Sequence, residues 1–128
     1  MKLLLVEDDK RFGQVLKHEL EDDIHFVELA SDGVEAVLDF LGSRYDIVLL
    51  DLRMPRLNGI DALRIIRKFN PTVPVIVISA DSGPDEIVKT GLAGAAKFMA
   101  KPFEIAQLKR EITRLTAGNT PLALSREY

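Results

Sequence analysis

The chain predicts an α/β domain: a doubly wound sheet of five parallel strands with helices on both faces. Three observations carry this reading. Unbroken apolar runs, Leu3-Leu4-Leu5-Val6 and Ile47-Val48-Leu49-Leu50, read as strands buried on both faces, which is the habit of parallel sheets. Strand-like and helix-like segments alternate about five times along the chain, which implies right-handed parallel crossovers. Both runs end in carboxylates, Glu7-Asp8-Asp9 and Asp51, at the rim where open α/β sheets place their ligands.

Each element has its own signature. The first strand is Lys2–Val6, and the helix after it carries Phe12, Val15, Leu16 and Leu20 on one stripe, with Asp9 as its expected cap. Residues 25–29 form the second strand. Ser31 or Asp32 caps the next helix, which begins near Gly33 with Val34, Val37, Leu38 and Leu41 on its apolar side. Ile47–Asp51 is the third strand. The chain then turns through Leu52-Arg53-Met54-Pro55-Arg56-Leu57-Asn58-Gly59, where Asn58 caps a third helix striped by Ile60, Leu63, Ile66 and Phe69. Asn70-Pro71 stops that helix, and Val73-Pro74 leads into the fourth strand, Val75–Ser79. The following pattern is weaker: Pro84 fits a first helical turn, and Ile87, Val88 and Leu92 suggest a short amphipathic helix. Lys97–Ala100 is the fifth strand, and Ile105, Leu108, Ile112 and Leu115 stripe the last helix. The domain is expected to span residues 1–117. Residues 118–128 read as a linker or tail, with Leu122–Tyr128 either a tail or the first residues of an output domain.

Composition narrows the chemistry. A chain of 128 residues with 47% apolar content can bury one real core. The formal net charge of −3 argues against direct nucleic-acid binding. The absence of cysteine excludes disulfides, thiol catalysis and thiolate zinc sites, and His18 and His25 are too few for a histidine-rich metal centre. No apolar run reaches membrane-spanning length, and the N-terminus lacks a signal-peptide pattern, so no membrane association and a cytoplasmic location are expected.

Two strands that deliver carboxylates to one edge suggest a site for a hard cation and a phosphoryl group. Taken singly, the residues also have plain readings. Asp51 can cap a turn, and Glu7-Asp8-Asp9 can complement a helix dipole. Lys101 can be solvated surface, Ser79 a turn residue, and Phe98 core.

The marks stand in a fixed order. Glu7-Asp8-Asp9 follows strand one, and Asp51 ends strand three with Met54-Pro55 and Gly59 after it. Ser79-Ala80 ends strand four, Gly94-Ala95 precedes strand five, and Lys101-Pro102-Phe103 follows it. Together, over residues 2 to about 117, they resemble the receiver domain of two-component response regulators. The resemblance implies strand order 2-1-3-4-5. It implies Asp51 as phosphoacceptor, attacking phosphorus through a carboxylate oxygen, and Lys101 as the cation that contacts the phosphoryl group. Asp8, Asp51, Glu7 through a water, and the backbone carbonyl of Arg53 would bind Mg²⁺, a hard cation content with few protein ligands. Ser79 resembles the switch hydroxyl and Phe98 the switch aromatic, here without a hydroxyl. At Lys101-Pro102 the family carries a cis bond, while an ordinary trans proline opening the last helix is the alternative. The implied function is a phosphorylation-activated signalling switch that catalyses only its own modification. Its implied partners are a sensor histidine kinase or phosphotransfer protein, and an output domain or downstream protein at the face of helix four, strand five and helix five. By the same analogy Phe12, Gly13, Val15, Leu16 and Phe103 contact the kinase.

Some features depart from the family. A phosphorylation-dependent dimer is allowed, but Ala95-Ala96-Lys97 lacks the acidic residues of the family's salt-bridged dimers. The pattern around Lys101 leans toward receivers attached to ATPase-type activators or found in hybrid kinases. Arg53 and Asp81 flank the site and could pair or gate the attacking water. Among rival readings, a haloacid-dehalogenase-like phosphatase needs an acid two residues after Asp51, where Arg53 stands. A flavodoxin-like cofactor binder would meet repulsion between its phosphate and the acidic first loop. A phosphorylation-independent adaptor is the remaining alternative, against which the full set of chemical residues argues.

Overall fold

Apolar runs buried on both faces of the strands decide the layering. The computed structural model describes residues 1–24, 26–54, 56–80 and 83–117. It contains β1 (Lys2–Val6), α1 (Lys10–Glu21), β2 (Phe26–Ala30), α2 (Gly33–Gly42) and β3 (Ile47–Asp51). α3 (Gly59–Phe69), β4 (Val75–Ser79), α4 (Pro84–Ala93), β5 (Lys97–Ala100) and α5 (Ile105–Thr116) follow. The strands form one parallel sheet in the order β2-β1-β3-β4-β5. Successive side chains of a strand point to opposite faces, so each buried strand feeds two cores. Leu4, Val6, Val48, Leu50, Val75 and Val77 pack with Ala36, Phe40, Leu63 and Ile66 of α2 and α3. Leu3, Leu5, Ile47, Leu49, Ile76 and Ile78 pack on the other side with Leu16, Leu20, Leu108 and Ile112 of α1 and α5. Full burial of each Val, Leu, Ile or Phe side chain among these contributes about 1.5–3 kcal/mol, so the apolar stabilisation is concentrated on the sheet.

The caps form as expected at three helices. Asp9 accepts from the Phe12 N–H, Asp32 from that of Glu35, and Asn58 from that of Asp61. Pro84 opens α4. The second strand runs one residue later than expected, at Phe26–Ala30, and position 25 lies outside the described residues. So do residues 118–128, on which the expected linker or tail falls.

Helix rotation differs from the expected stripes. In α2 the core takes Gly33, Ala36 and Phe40, while Leu38 is 64% exposed and Leu41 is also out. The cause is close approach: a Cβ on Gly33 would lie 2.1 Å from the Leu57 carbonyl oxygen. The helix must present its glycine there, which turns Phe40 inward to stack on Tyr45 at 6.1 Å. Val15 and Phe69 are exposed as well, and small residues, Gly13 and Ala62, are buried in α1 and α3. The largest departure is α4. Its Ile87, Val88 and Leu92 face outward, Leu92 at 84% exposure. Its one buried residue is Thr90, whose hydroxyl donates to the Ile87 carbonyl. Among the described residues no helix is long and apolar enough to cross a membrane.

Candidate functional site

Parallel pairing brings the C-terminal ends of β1, β3, β4 and β5 to one edge. Val6 pairs with Leu50, Asp51 with Ile78, and Ser79 with Ala100. Ladder bonds continue one step past the strands: the N–H groups of Glu7, Leu52 and Lys101 donate to the carbonyls of Ala30, Ile78 and Ser79. Glu7, Asp51 and Lys101 are therefore carried by the backbone of the sheet rather than by free loops.

Lys101 joins the two carboxylates. Its Nζ donates to Glu7 Oε1 and to Asp51 Oδ2, each at 3.0 Å. The second oxygen of each acid is also held. Asp51 Oδ1 accepts from the Arg53 N–H at 3.0 Å, and Glu7 Oε2 from the Asp9 N–H at 3.2 Å. Glu7 is 1% exposed and Asp51 4%. Burial pushes the Glu7 carboxyl up, the Lys101 hydrogen bond opposes this, and the negative Asp51 adds to it, leaving Glu7 at about 7. For Lys101, burial works to lower the ammonium's pKa, but the hydrogen bonds and charges of Asp51 and Glu7 outweigh it, and the net shift is upward. The lysine stays cationic.

Carboxylate oxygens of Glu7, Asp8 and Asp51 all lie within 4.8 Å of one another. Asp8 is the exposed member, on the solvent side of two buried ones. With all three ionised, one ammonium leaves the cluster with surplus negative charge. Only hard oxygen donors converge here, and such donors with an open side fit Mg²⁺, which keeps several of its waters.

The remaining expected residues fall around this centre. Ser79 is fully buried at the end of β4, one residue past Asp51's pairing partner. Phe98 pairs with Val77, whose face Ser79 shares by alternation, and it packs partly buried against the core beneath α2 and α3. Arg53 is exposed, and its backbone N–H is the group seen on Asp51. Asp81, its expected partner, lies outside the described residues. The Lys101-Pro102 bond is cis. Gly59 has a steric duty: a Cβ there would meet Leu52 Cα at 2.5 Å and the Asp51 carbonyl oxygen at 2.7 Å.

Two features went unread in the sequence. Arg56 bonds Asp32 through Nε and Nη2, at 3.0 and 2.6 Å, tying the β3–α3 loop to the start of α2. The Phe12 ring, expected only as part of a core stripe or kinase contact, lies over Lys101 with its centroid 4.7 Å from Nζ. Helical spacing places Phe12 on a face but carries no signal for a lysine 89 positions away. Beside this pair, Phe12, Ala80, Lys101, Pro102, Phe103 and Ile105 line an open groove of about 410 Å³.

Comparison with known proteins gives a consistent answer. The family profile of the response regulator receiver domain matches residues 3–113. The response regulator ArlR of Staphylococcus saprophyticus is 36% identical over 111 residues, covering 87% of this chain and 50% of that protein. The chain spans about half the length of the curated relatives it matches. Among solved structures, the receiver domain of the Francisella response regulator 1452 aligns with a TM-score of 0.86 and 32% identity, over 93% of this chain and 98% of that one. The receiver domain of the sensor histidine kinase PA1611 of Pseudomonas aeruginosa has a magnesium ion coordinated in its active site cleft. It aligns with a TM-score of 0.83 and 34% identity, over 91% and 97% of the two chains.

Proposed function

The chain belongs to the receiver domain family of response regulators, and from that membership we propose a phosphorylation-activated switch in which Asp51 takes a phosphoryl group from a histidine kinase or phosphotransfer protein. Receiver domains are signalling modules of two-component systems, not enzymes that turn over a metabolite. The observation that carries the proposal is the meeting of buried Asp51 and Glu7 with exposed Asp8 and the Lys101 ammonium at one sheet edge.

In the proposed reaction an Asp51 carboxylate oxygen attacks phosphorus in line. A P–O bond forms as the P–N bond to the donor's imidazole breaks, and the imidazole leaves with a proton. Asp8, Asp51, the Arg53 carbonyl and, through a water, Glu7 would hold Mg²⁺, which when bound supplies neutralisation of phosphoryl charge. Lys101 already donates to Asp51 Oδ2, so its ammonium stands beside the carboxylate that would carry the phosphoryl group. The Ser79 hydroxyl then donates to the same group, and Phe98 changes its packing beside it. A new dianionic group with strong acceptors recruits such donors by charge-assisted hydrogen bonds.

The readout face is α4, β5 and α5. Exposed Ile87, Val88 and Leu92 support a protein-binding role there, since large apolar side chains clustered on one helix mark interaction surfaces. An output domain or downstream protein, or a second copy of the domain, would bind this face. At the start of β5 the sequence Ala95-Ala96-Lys97 lacks the acidic residues through which the family's salt-bridged dimers pair.

Intact-mass spectrometry after incubation with acetyl phosphate and Mg²⁺ tests the proposal. One added phosphoryl group is expected in the unaltered domain and none in Asp51→Ala or without the metal. A folded domain that accepts no phosphoryl group from acetyl phosphate or from a phosphorylated histidine donor would favour a phosphorylation-independent adaptor.

A further inference from the structure

The Lys101 ammonium has a third neighbour besides its two carboxylates. The Phe12 ring centroid lies 4.7 Å from Nζ, inside the roughly 6 Å range of a cation–π contact. Phe12 is itself held from two directions. Its backbone N–H donates to the Asp9 cap at 3.1 Å. Its ring meets Phe103 in a T-shaped contact, with centroids 6.3 Å apart and planes at 79°. Phe103 sits two residues after Lys101, so the ring is wedged between α1 and the loop that carries the lysine.

We propose that Phe12 is a positioning residue for Lys101, its ring face keeping the ammonium beside Asp51 when the carboxylates that now grip it are engaged elsewhere. The inference rests on the phosphoryl-transfer reading above. Glu7 and Asp51 hold Nζ by charge at 3.0 Å each. When Asp51 becomes an acyl phosphate and the neighbouring acids serve a divalent cation, that pull is shared and weakened. The ring is neutral, is no ligand for a hard cation, and keeps its negative face throughout. A lysine stem has four rotatable carbons, and this side chain is already 24% exposed, so a weakened grip would let it swing into water. A leucine at position 12 would fill the space but offer no such face.

The test compares the unaltered domain with Phe12→Leu, Phe12→Tyr and a chain carrying a trifluorinated phenylalanine at position 12. Fluorination keeps the shape of the ring and removes its negative face, so this chain serves if Phe12→Leu fails to fold. At saturating Mg²⁺ and acetyl phosphate, phosphorylation should slow about tenfold in the leucine and fluorinated chains and recover in Phe12→Tyr. Mg²⁺ affinity should not change. In the resting domain the ε-methylene protons of Lys101 should be shifted upfield by the ring current, and should return toward ordinary lysine values in Phe12→Leu. A fluorinated chain that reacts at the unaltered rate, or ε-proton shifts that ignore the leucine substitution, would overturn the proposal. Failure of the unaltered domain to accept phosphate would instead sink the functional reading, while the proton shifts would still decide where the ammonium sits.

Discussion

Glu7 gives the sharpest prediction, because its environment sets both a sign and a size. Burial, opposed by Lys101 and helped by the Asp51 charge, moves its carboxyl from an ordinary 4.5 to about 7. In the unfolded chain Glu7 loses its proton near 4.5, whereas in the fold it keeps it until about 7. Between these values the folded state binds more protons than the unfolded state, so stability falls as pH rises. The contribution is fully present below 4.5 and lost once pH passes about 7. At about 1.4 kcal/mol for each decade, the displacement from 4.5 to about 7 amounts to about 3 kcal/mol. Glu7→Gln keeps the shape and removes the titration, while Lys101 retains Asp51. Urea unfolding in EDTA should therefore show Glu7→Gln gaining on the unaltered domain by about 3 kcal/mol between about pH 4.5 and about pH 8. Saturating Mg²⁺ should shrink that gain, since a bound cation compensates the ionised carboxylate. The domain's Mg²⁺ affinity should drop about tenfold from about pH 8 to about pH 6, as the ionised fraction of Glu7 falls from about nine-tenths to about one-tenth. A stability difference between the two proteins that does not vary with pH would refute the reasoning.

Other consequences follow from packing. Arg67 donates to the Gly94 carbonyl through Nε and Nη2 and to the Asn70 carbonyl through Nη1. Arg67→Ala should cost about 2–3 kcal/mol in urea unfolding by stranding these partly buried acceptors, with faster amide exchange around the end of α4. Gly59→Ala drives a Cβ against the Leu52 and Asp51 backbone, which cannot yield as a side-chain tip can. It should destabilise the domain by about 1–3 kcal/mol and slow phosphorylation by displacing Asp51, and a variant matching the unaltered protein in both would remove the steric argument. On α2, Leu38→Gln should change stability by less than about 0.5 kcal/mol, whereas Phe40→Ala should cost about 3–5 kcal/mol. Thermal melts of the two would show whether the helix is rotated as described.

How far the sequence can be read depends on whether the decisive interaction is local. Leu3-Leu4-Leu5-Val6 and Val75–Ser79 are legible as strands because burial on both faces leaves an unbroken apolar run. Phe26–Ala30 is less so, because Phe26 and Glu28 face water at the sheet edge and the run is interrupted. Asp51 and Glu7 each have a plain local reading, as a turn cap and a helix-start acid, and they stand out as a site only because both end buried runs and Ser79 and Lys101 follow in order. The pairing order is a different matter. β1, β3 and β4 offer interchangeable Val, Ile and Leu surfaces, so the order came with the resemblance and not with periodicity. Helix faces fail where a tertiary contact overrides hydrophobicity. α2 turns because Gly33 must meet Leu57, although Leu38 and Leu41 make the greasier stripe. The Lys101–Glu7 bond joins residues 94 positions apart, and the Phe12 ring over Lys101 is equally non-local.

The two kinds of legibility map onto two kinds of stability. Residues that carry the proposed chemistry sit on strand ends tied by ladder bonds, where a shift would break buried hydrogen bonds and packed cores together. α4 is held quite differently. Its N-cap residue, Gly83, has no side chain to cap the first turn, its apolar side chains face outward, and Thr90 is its one buried residue. Just past its far end the chain is tied down, where the Ala96 N–H donates to the Val75 carbonyl and Arg67 donates to the Gly94 carbonyl. A two-state element moves from about 1% to about 99% occupancy for roughly 5.5 kcal/mol of differential binding. In the proposed switch a phosphoryl group would accept charge-assisted bonds at roughly 1.5–3 kcal/mol each, a new one from Ser79 and one that Lys101 would trade for its present bond to Asp51, and so would supply a part of that amount. Such a gain would not reorganise the sheet, and in the proposed switch it would act on the start of a helix that buries so little. The weak amphipathic pattern after Ser79, poor as a signature of packing, is the pattern that the proposed switch would ask of the helix it moves.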